Sequence, residues 1–383
     1  MRWTRLLAAL AATLCACARP TRSPTIAPIE RALASERPRF EPFTLRSERL
    51  SLFAGRDVTF EAMVLTPANY DPACGGPALY FLHGFGSSAL RTGAGYTGDV
   101  LARDEAGVAP PLIRVFLDAN HPLGHHVFAD SANTGPWSTA LVEELLPAIE
   151  ARYGALPEPS ARFLGGHSSG GWASLWLQID HPETFGGVWS LAPDPVDFHS
   201  FTNVDLYGDD NMYRAPDGDA VPLVREGAKV VTTLETFVRA DPEGRRIYAS
   251  FDAVFSPRGP GGPVPLFDRE TGRIDRAVVR SWEQYDIAAR LRREWPTLGP
   301  RLGDKLHVIV GLEDTYYLEA PVRLLAQALA QLGGRADIVF VPGRAHVDLF
   351  DPHPELYPGG LLKRIEDEMW TNFRATHPRP RCP

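Results

Sequence analysis

The chain has 383 residues, of which 44% are hydrophobic and 22% charged, and a formal charge of −8 at pH 7. This balance excludes wholesale disorder and argues against a nucleic-acid binder, which carries a basic face. The length suits one α/β domain with insertions, and 35 Pro and 34 Gly imply many loops around its core.

The first residues have the pattern of an export signal. Met1–Arg5 holds two arginines, and Leu6–Leu14 is an apolar run too short to span a bilayer. Leu14-Cys15-Ala16-Cys17 has the form of a bacterial lipobox with Cys17 as the acylated residue, although Ala16-Cys17-Ala18 also fits a small-residue cleavage site. Residues 1–17 are thus expected to be a lipoprotein-type signal peptide. The expected location is periplasmic or at the cell surface, with membrane attachment through the lipidated Cys17. Residues 18–39, rich in Pro, Ser and Arg, read as a tether. After export Cys74 and Cys382 either pair or remain as two spare thiols.

From residue 40 to 383 strand and helix patterns alternate, which predicts one domain with a mostly parallel central sheet and helices on both faces. Phe43–Phe53 and Val58–Leu65 predict opening strands joined as a hairpin around Ala54-Gly55-Arg56-Asp57. Ala78–Leu82 and Leu112–Leu117 are short, mainly apolar runs, as strands covered on both faces should be. Thr139–Tyr153 puts Leu141, Leu145, Leu146 and Ile149 on one helical face. Further strands are predicted at Arg162–Gly165, Gly187–Leu191, Leu306–Val310 and Ile338–Val341. Helices are predicted at Ser169–Ile179, Ala320–Leu332 and Leu361–Phe373.

Between the strand at Arg162–Gly165 and the helix after it lies Gly166-His167-Ser168-Ser169-Gly170, a G-x-S-x-G match. A strand–motif–helix context is what a nucleophilic serine needs, because a sharp turn exposes its Oγ beside the helix's free N–H groups. The alternative is a Gly-rich turn with incidental serines; Ser168 rather than Ser169 is the expected nucleophile. A serine needs a base, and His346 follows the strand at Ile338–Val341. Asp314 follows the strand at Leu306–Val310, and neighbouring Glu313 competes with it for the acid's role. The order Ser168, Asp314, His346 is that of α/β hydrolases. At the end of the Ala78–Leu82 strand, Leu82-His83-Gly84-Phe85-Gly86 offers the Phe85 N–H as one oxyanion donor, with the Ser169 N–H as the other. The competing reading is a tight turn. His83 reads as a supporting core residue.

On these residues the sequence resembles the esterase D family of α/β hydrolases, which includes feruloyl and acetyl-xylan esterases, enterochelin esterases, S-formylglutathione hydrolases and mycolyltransferases. The resemblance is carried by Tyr80–Gly86, Glu144–Glu150, Gly165–Gly171, Gly311–Asp314 and Ala345-His346. It implies an α/β-hydrolase fold, with the family's nucleophile on Ser168, its acid on Asp314, its base on His346 and its oxyanion donors on Phe85 and Ser169. The departure is a long insertion before the acid-bearing strand, at about 197–300, which reads either as a lid or as a peripheral decoration. Within it a helix is expected at Ala228–Ala240.

Other motifs carry less. Gly93-Ala94-Gly95-Tyr96-Thr97-Gly98 matches G-x-G-x-x-G but does not follow a strand directly, which argues against a dinucleotide loop. His121, His125 and His126, with Asp118 and Asp130, suggest a pocket-lining loop rather than a metal site, since no second ligand set accompanies them. Asp205–Asp210 lacks a calcium-loop pattern and reads as solvated surface. The expectation is an exported serine carboxylic-ester hydrolase working through an acyl-enzyme, with no cofactor and no metal, on a small-molecule or saccharide-linked ester. An acyltransferase with the same triad, or a catalytically silent surface-binding lipoprotein, are the alternatives.

Overall fold

In the computed structural model, residues 39–241 and 247–378 are described. The expected signal peptide, tether, lipidated Cys17 and Cys382 lie outside the described residues. Cys74 is disulfide-bonded; the sequence's other cysteines all fall outside the described range.

Eight strands form the main sheet: β1 (Phe40–Ser47), β2 (Val58–Leu65), β3 (Ala78–Leu82), β4 (Ile113–Leu117), β5 (Arg162–His167), β6 (Gly187–Leu191), β7 (Leu306–Gly311) and β8 (Asp337–Val341). Their spatial order is β1-β2-β4-β3-β5-β6-β7-β8. The β1–β2 and β2–β4 pairs are antiparallel, and all others are parallel. β3, β4 and β6 are buried at every position, as their apolar sequences require of strands covered on both faces. The one charge among them, Arg114 of β4, is neutralised in the core. Its Nη2 donates to Glu366 Oε2 at 2.8 Å, and Arg103 Nη1 reaches the same oxygen at 2.7 Å. Removing Glu366 would strand buried cations, a change that costs about 3–5 kcal/mol in comparable pairs.

Two elements differ from expectation. The opening hairpin is interrupted: Ser47 ends β1 and caps helix α1 (Glu48–Ala54), accepting from the Leu50 N–H, and Gly55 closes that helix in the left-handed conformation. Residues 50–53 are thus helical, because a Ser cap with Glu in the first turn outweighs the local alternation. The expected helix at Ala228–Ala240 is instead a strand followed by a short helix. Lys229–Thr233 pairs with Pro222–Glu226 as a hairpin, the β-branched run Val230–Thr233 favouring extension.

The G-x-G-x-x-G match lies inside helix α2 (Ala89–Glu105). A Cβ at Gly93 would come 2.9 Å from Phe116, so this glycine serves helix–sheet packing. Before β5, a helical turn Trp137–Ala140, a π-helical turn Leu141–Leu145 and α3 (Leu146–Tyr153) replace the single predicted helix. Helices α4 (Ser169–Asp180), α9 (Glu319–Gln331) and α10 (Leu361–Thr376) lie within three residues of their predicted limits.

The insertion holds the Pro222–Thr233 hairpin and helices α5 (Leu234–Arg239), α6 (Ile247–Phe255), α7 (Arg276–Trp282) and α8 (Ile287–Leu302). Its Phe198, Phe201, Phe251, Phe255 and Trp282 pack mainly edge to face and join the core of the sheet domain, where Phe255 meets Trp172 of α4 at 5.1 Å. Such rings bury roughly 150–250 Å² each, enough to hold the segment on the sheet domain. Helix α6 is fastened to the loops after β4: His125 N–H donates to Ser250 Oγ at 2.8 Å, and Asn133 Nδ2 donates to the Ser256 carbonyl at 2.8 Å.

Candidate active site

The turn from β5 into α4 places Ser168 at φ 60°, ψ −124°, a conformation that a residue with a Cβ adopts only under strain. The flanking glycines make the turn sterically feasible. A Cβ at Gly166 would fall 2.1 Å from the Gly170 carbonyl oxygen, and one at Gly170 would fall 2.1 Å from the Leu82 carbonyl oxygen. The second contact also brings the end of β3 against the turn, so Gly84 packs on Ser168. Ser169 is the first residue of α4, and its N–H has no intrahelical acceptor.

His83 fixes the loop after β3. Its Nε2 accepts the Ala119 N–H at 2.9 Å, which leaves Nδ1–H to donate to the Gly84 carbonyl at 2.8 Å. The Gly84–Phe85 peptide is trans, so holding its oxygen on one side turns the Phe85 N–H to the other. No hydrogen bond among the described residues uses that N–H. Both sequence-predicted oxyanion donors therefore lie on the two loops that meet at Ser168.

At the far end of the sheet, Gly311 closes β7 and lets the loop after β8 approach closely: a Cβ there would fall 2.1 Å from the Arg344 carbonyl oxygen. This contact brings His346 to the loop after β7. His346 Nδ1 bonds Asp314 Oδ2 at 2.7 Å, and both side chains are fully buried. Asp314 Oδ1 accepts the Tyr316 N–H at 2.8 Å and the Leu318 N–H at 3.3 Å. Burial raises the Asp314 carboxyl, but facing His346 and these two donors outweigh it and hold the group below the usual carboxylate range. Glu313 is exposed. The structure thus brings Asp314, and not its neighbour, to the imidazole.

His346 Nε2 is buried and has no hydrogen-bond partner. Tyr316 stands edge-on to the ring at 4.9 Å, and His167 packs against it at 4.4 Å while bonding the His346 carbonyl at 3.0 Å. Burial, and then the neighbouring His346, push His167 down to about 3, so it stays neutral. A neutral imidazole can hold the His346 main chain without adding a cation beside the His346 ring.

Sequence reasoning did not single out Asp194. It follows β6 at a sharp turn where Ala192 has φ 40°. Its Oδ1 accepts from Ser168 Oγ at 3.4 Å and its Oδ2 from Ser169 Oγ at 2.5 Å. Burial pushes its carboxyl up to about 6, although the Ser169 hydroxyl, His346 and the Ser168 hydroxyl pull the other way. Ala-Pro-Asp-Pro reads as turn chemistry in sequence, and nothing in the spacing links it to Ser168.

The histidines after β4 are structural. His125 bonds the His83 carbonyl at 3.0 Å, and His126 stacks on Trp137 at 3.6 Å. Among the described residues, one group has metal-ligand spacing, His307, Asp337 and Glu368. It lies on the β7–β8 side, where Arg364 pairs with both carboxylates.

An eight-stranded sheet of this order, with a serine on a strained strand-to-helix turn, is the α/β-hydrolase fold. Residues 54–243 match the family described as "Putative esterase". Over that stretch, just under half of its length, the chain is similar to this esterase family. The matched stretch includes Ser168 and stops short of Asp314 and His346. No curated protein matches the chain. A solved ferulic acid esterase is 17% identical at a TM-score of 0.52, with 87% of this chain and 98% of that one covered. A ferulic acid esterase from Anaeromyces mucronatus in complex with ferulic acid is 15% identical, with a TM-score of 0.47 and coverage of 88% and 91%. The S-formylglutathione hydrolase of Agrobacterium tumefaciens is 15% identical, with a TM-score of 0.47 and coverage of 89% and 95%. At such identities the likeness is one of fold.

Proposed function

We propose that the protein hydrolyses carboxylic esters through Ser168 as nucleophile, His346 as general base and Asp314 as the acid that orients it. The observation that carries this reading is the His346–Asp314 bond of 2.7 Å, which leaves a buried, unpartnered Nε2 on the imidazole beside the Ser168 turn. Rotation of the Ser168 side chain moves Oγ from Asp194 toward that nitrogen. Oγ then bonds to the ester carbonyl carbon while its proton passes to Nε2, and the N–H groups of Phe85 and Ser169 receive the oxyanion. The C–O bond to the alcohol breaks as His346 returns the proton to the leaving oxygen. Water repeats the sequence on the acyl-enzyme and regenerates Ser168.

The sequence supports an exported form held on the membrane through Cys17. Metabolic labelling with a fatty acid, lost in Cys17→Ser, tests this part separately. A chromogenic ester panel from acetyl to long acyl, with feruloyl esters included because ferulic acid esterases share the fold, tests the activity. Ser168→Ala is expected to abolish turnover and fluorophosphonate labelling while the fold survives. Loss of a nucleophilic serine costs about 10⁶ in kcat in a known protease. Labelling that persists in Ser168→Ala would move the nucleophile, and undiminished hydrolysis would end the mechanism.

A further inference from the structure

Arg225 lies on the insertion hairpin, yet its guanidinium is spent on the loop that carries Asp314. Nε donates to the Asp314 carbonyl at 2.8 Å. Nη2 donates to the Leu312 carbonyl at 3.2 Å and to Glu319 Oε1 at 2.7 Å. The Arg225 main-chain N–H donates to the Thr315 carbonyl at 2.9 Å, and the guanidinium plane lies over the Tyr317 ring at 4.4 Å. One residue thus grips the loop at five points between Leu312 and Glu319.

The loop needs holding. Tyr317 sits at φ 61°, a left-handed conformation that a residue with a Cβ adopts at a cost. The Asp314 carboxylate presents Oδ2 to His346 only while Oδ1 stays on the Tyr316 and Leu318 N–H groups, and those donors belong to the same loop. Arg225 does not touch the carboxylate. It acts on the main chain that aims it, and only arginine has the planar fork to serve carbonyls and a carboxylate together.

We propose that Arg225 is a positioning residue for the Asp314–His346 pair, so that the insertion takes part in catalysis by holding the acid loop in register. This rests on the triad reading above. Arg225→Met is expected to lower kcat by roughly 10–100-fold with KM little changed, since small misplacements of a catalytic group cost on this scale. Arg225→Lys, which keeps one charged donor, should recover part of the loss.

The deciding measurement is a double-mutant cycle on ester hydrolysis. If Arg225 acts through Asp314, Arg225→Met should cost little more in an Asp314→Asn background. Equal loss in both backgrounds, or unchanged kcat in Arg225→Met, would overturn the proposal. If Arg225→Met fails to fold, Glu319→Gln, which loosens the same grip, carries the cycle in its place. A wild-type protein that neither turns over esters nor reacts with a fluorophosphonate would refute the triad reading instead, so the two failures are distinct.

Discussion

Ser168 Oγ–H points to Asp194 Oδ1, 3.4 Å away, and not to the imidazole. A serine on a strained turn is thereby held by a buried carboxylate, while the buried His346 Nε2 is left unpartnered. Asp194 also holds the neighbouring Ser169 hydroxyl, so a single side chain steadies both serines of the turn.

That arrangement has a cost at neutral pH. The Asp194 carboxyl is raised from the ordinary 3.8 to about 6, chiefly by burial. Between those values the folded state binds more protons than the unfolded one. Its contribution is therefore fully present below the unfolded value and is lost as pH rises through about 6. Asp194→Asn removes the ionisation and should stabilise the protein above pH 7 by roughly 1–3 kcal/mol, the differential binding implied by such a shift. Urea unfolding at pH 5 and pH 8 checks this; a variant equally stable with wild type at both would show that Asp194 bears no such penalty.

Asp314 works in the opposite sense. Its folded value lies below the unfolded one, so its contribution exists above the unfolded value and is lost as pH falls through the folded one. Asp314→Asn should flatten the acid side of the stability profile and lower kcat by about 10⁴, the loss seen for the equivalent change in a known triad. Glu313→Gln should keep most activity, since Glu313 is exposed and the imidazole Nδ1 is already bonded to Asp314. Kinetics of the two variants side by side decide the matter, and the reverse pattern would transfer the role to Glu313.

The close approach at Gly170 makes a purely steric prediction. A methyl group there would meet the Leu82 carbonyl oxygen at 2.1 Å and the His83 carbonyl oxygen at 2.6 Å. Gly170→Ala should destabilise the protein by about 4 kcal/mol or more, in the range reserved for backbone conflicts in a core. Gly95→Ala is the control: nothing lies within 4 Å of its Cβ position, and it sits inside α2. It should stabilise by up to about 1 kcal/mol. Thermal unfolding of the pair separates crowding from a general intolerance of change.

Much of the sheet was legible because its signals are local. The runs at β3, β4 and β6 name buried strands by composition alone, and Gly166 and Gly170 name the turn between β5 and α4. Residues 48–53 misled because the apolar Leu50, Leu52 and Phe53 fit a short helix as well as a strand, and the Ser47 cap decided between them. The insertion hairpin misled because charged ends and a final helical turn mask four β-branched residues. Asp194 and Arg225 left no local trace. One sits in an ordinary-looking Pro-flanked turn, and the partners of the other are carbonyl oxygens nearly ninety residues along the chain. Main-chain acceptors impose no residue type, so the three carbonyl contacts of Arg225 could leave no pattern.

In many folds of this kind, loops over the active site are regarded as interchangeable parts, exchanged or trimmed to alter selectivity. Here the long segment before β7 is tied on both sides of the candidate site, through Ser250 and Ser256 to the loops after β4 and through Arg225 to the turn bearing Asp314. Transplanting it would carry away the hydrogen bonds that reach both of those loops. Shortening the segment would cut these ties, so its length is bound up with the placement of loops it does not itself contain.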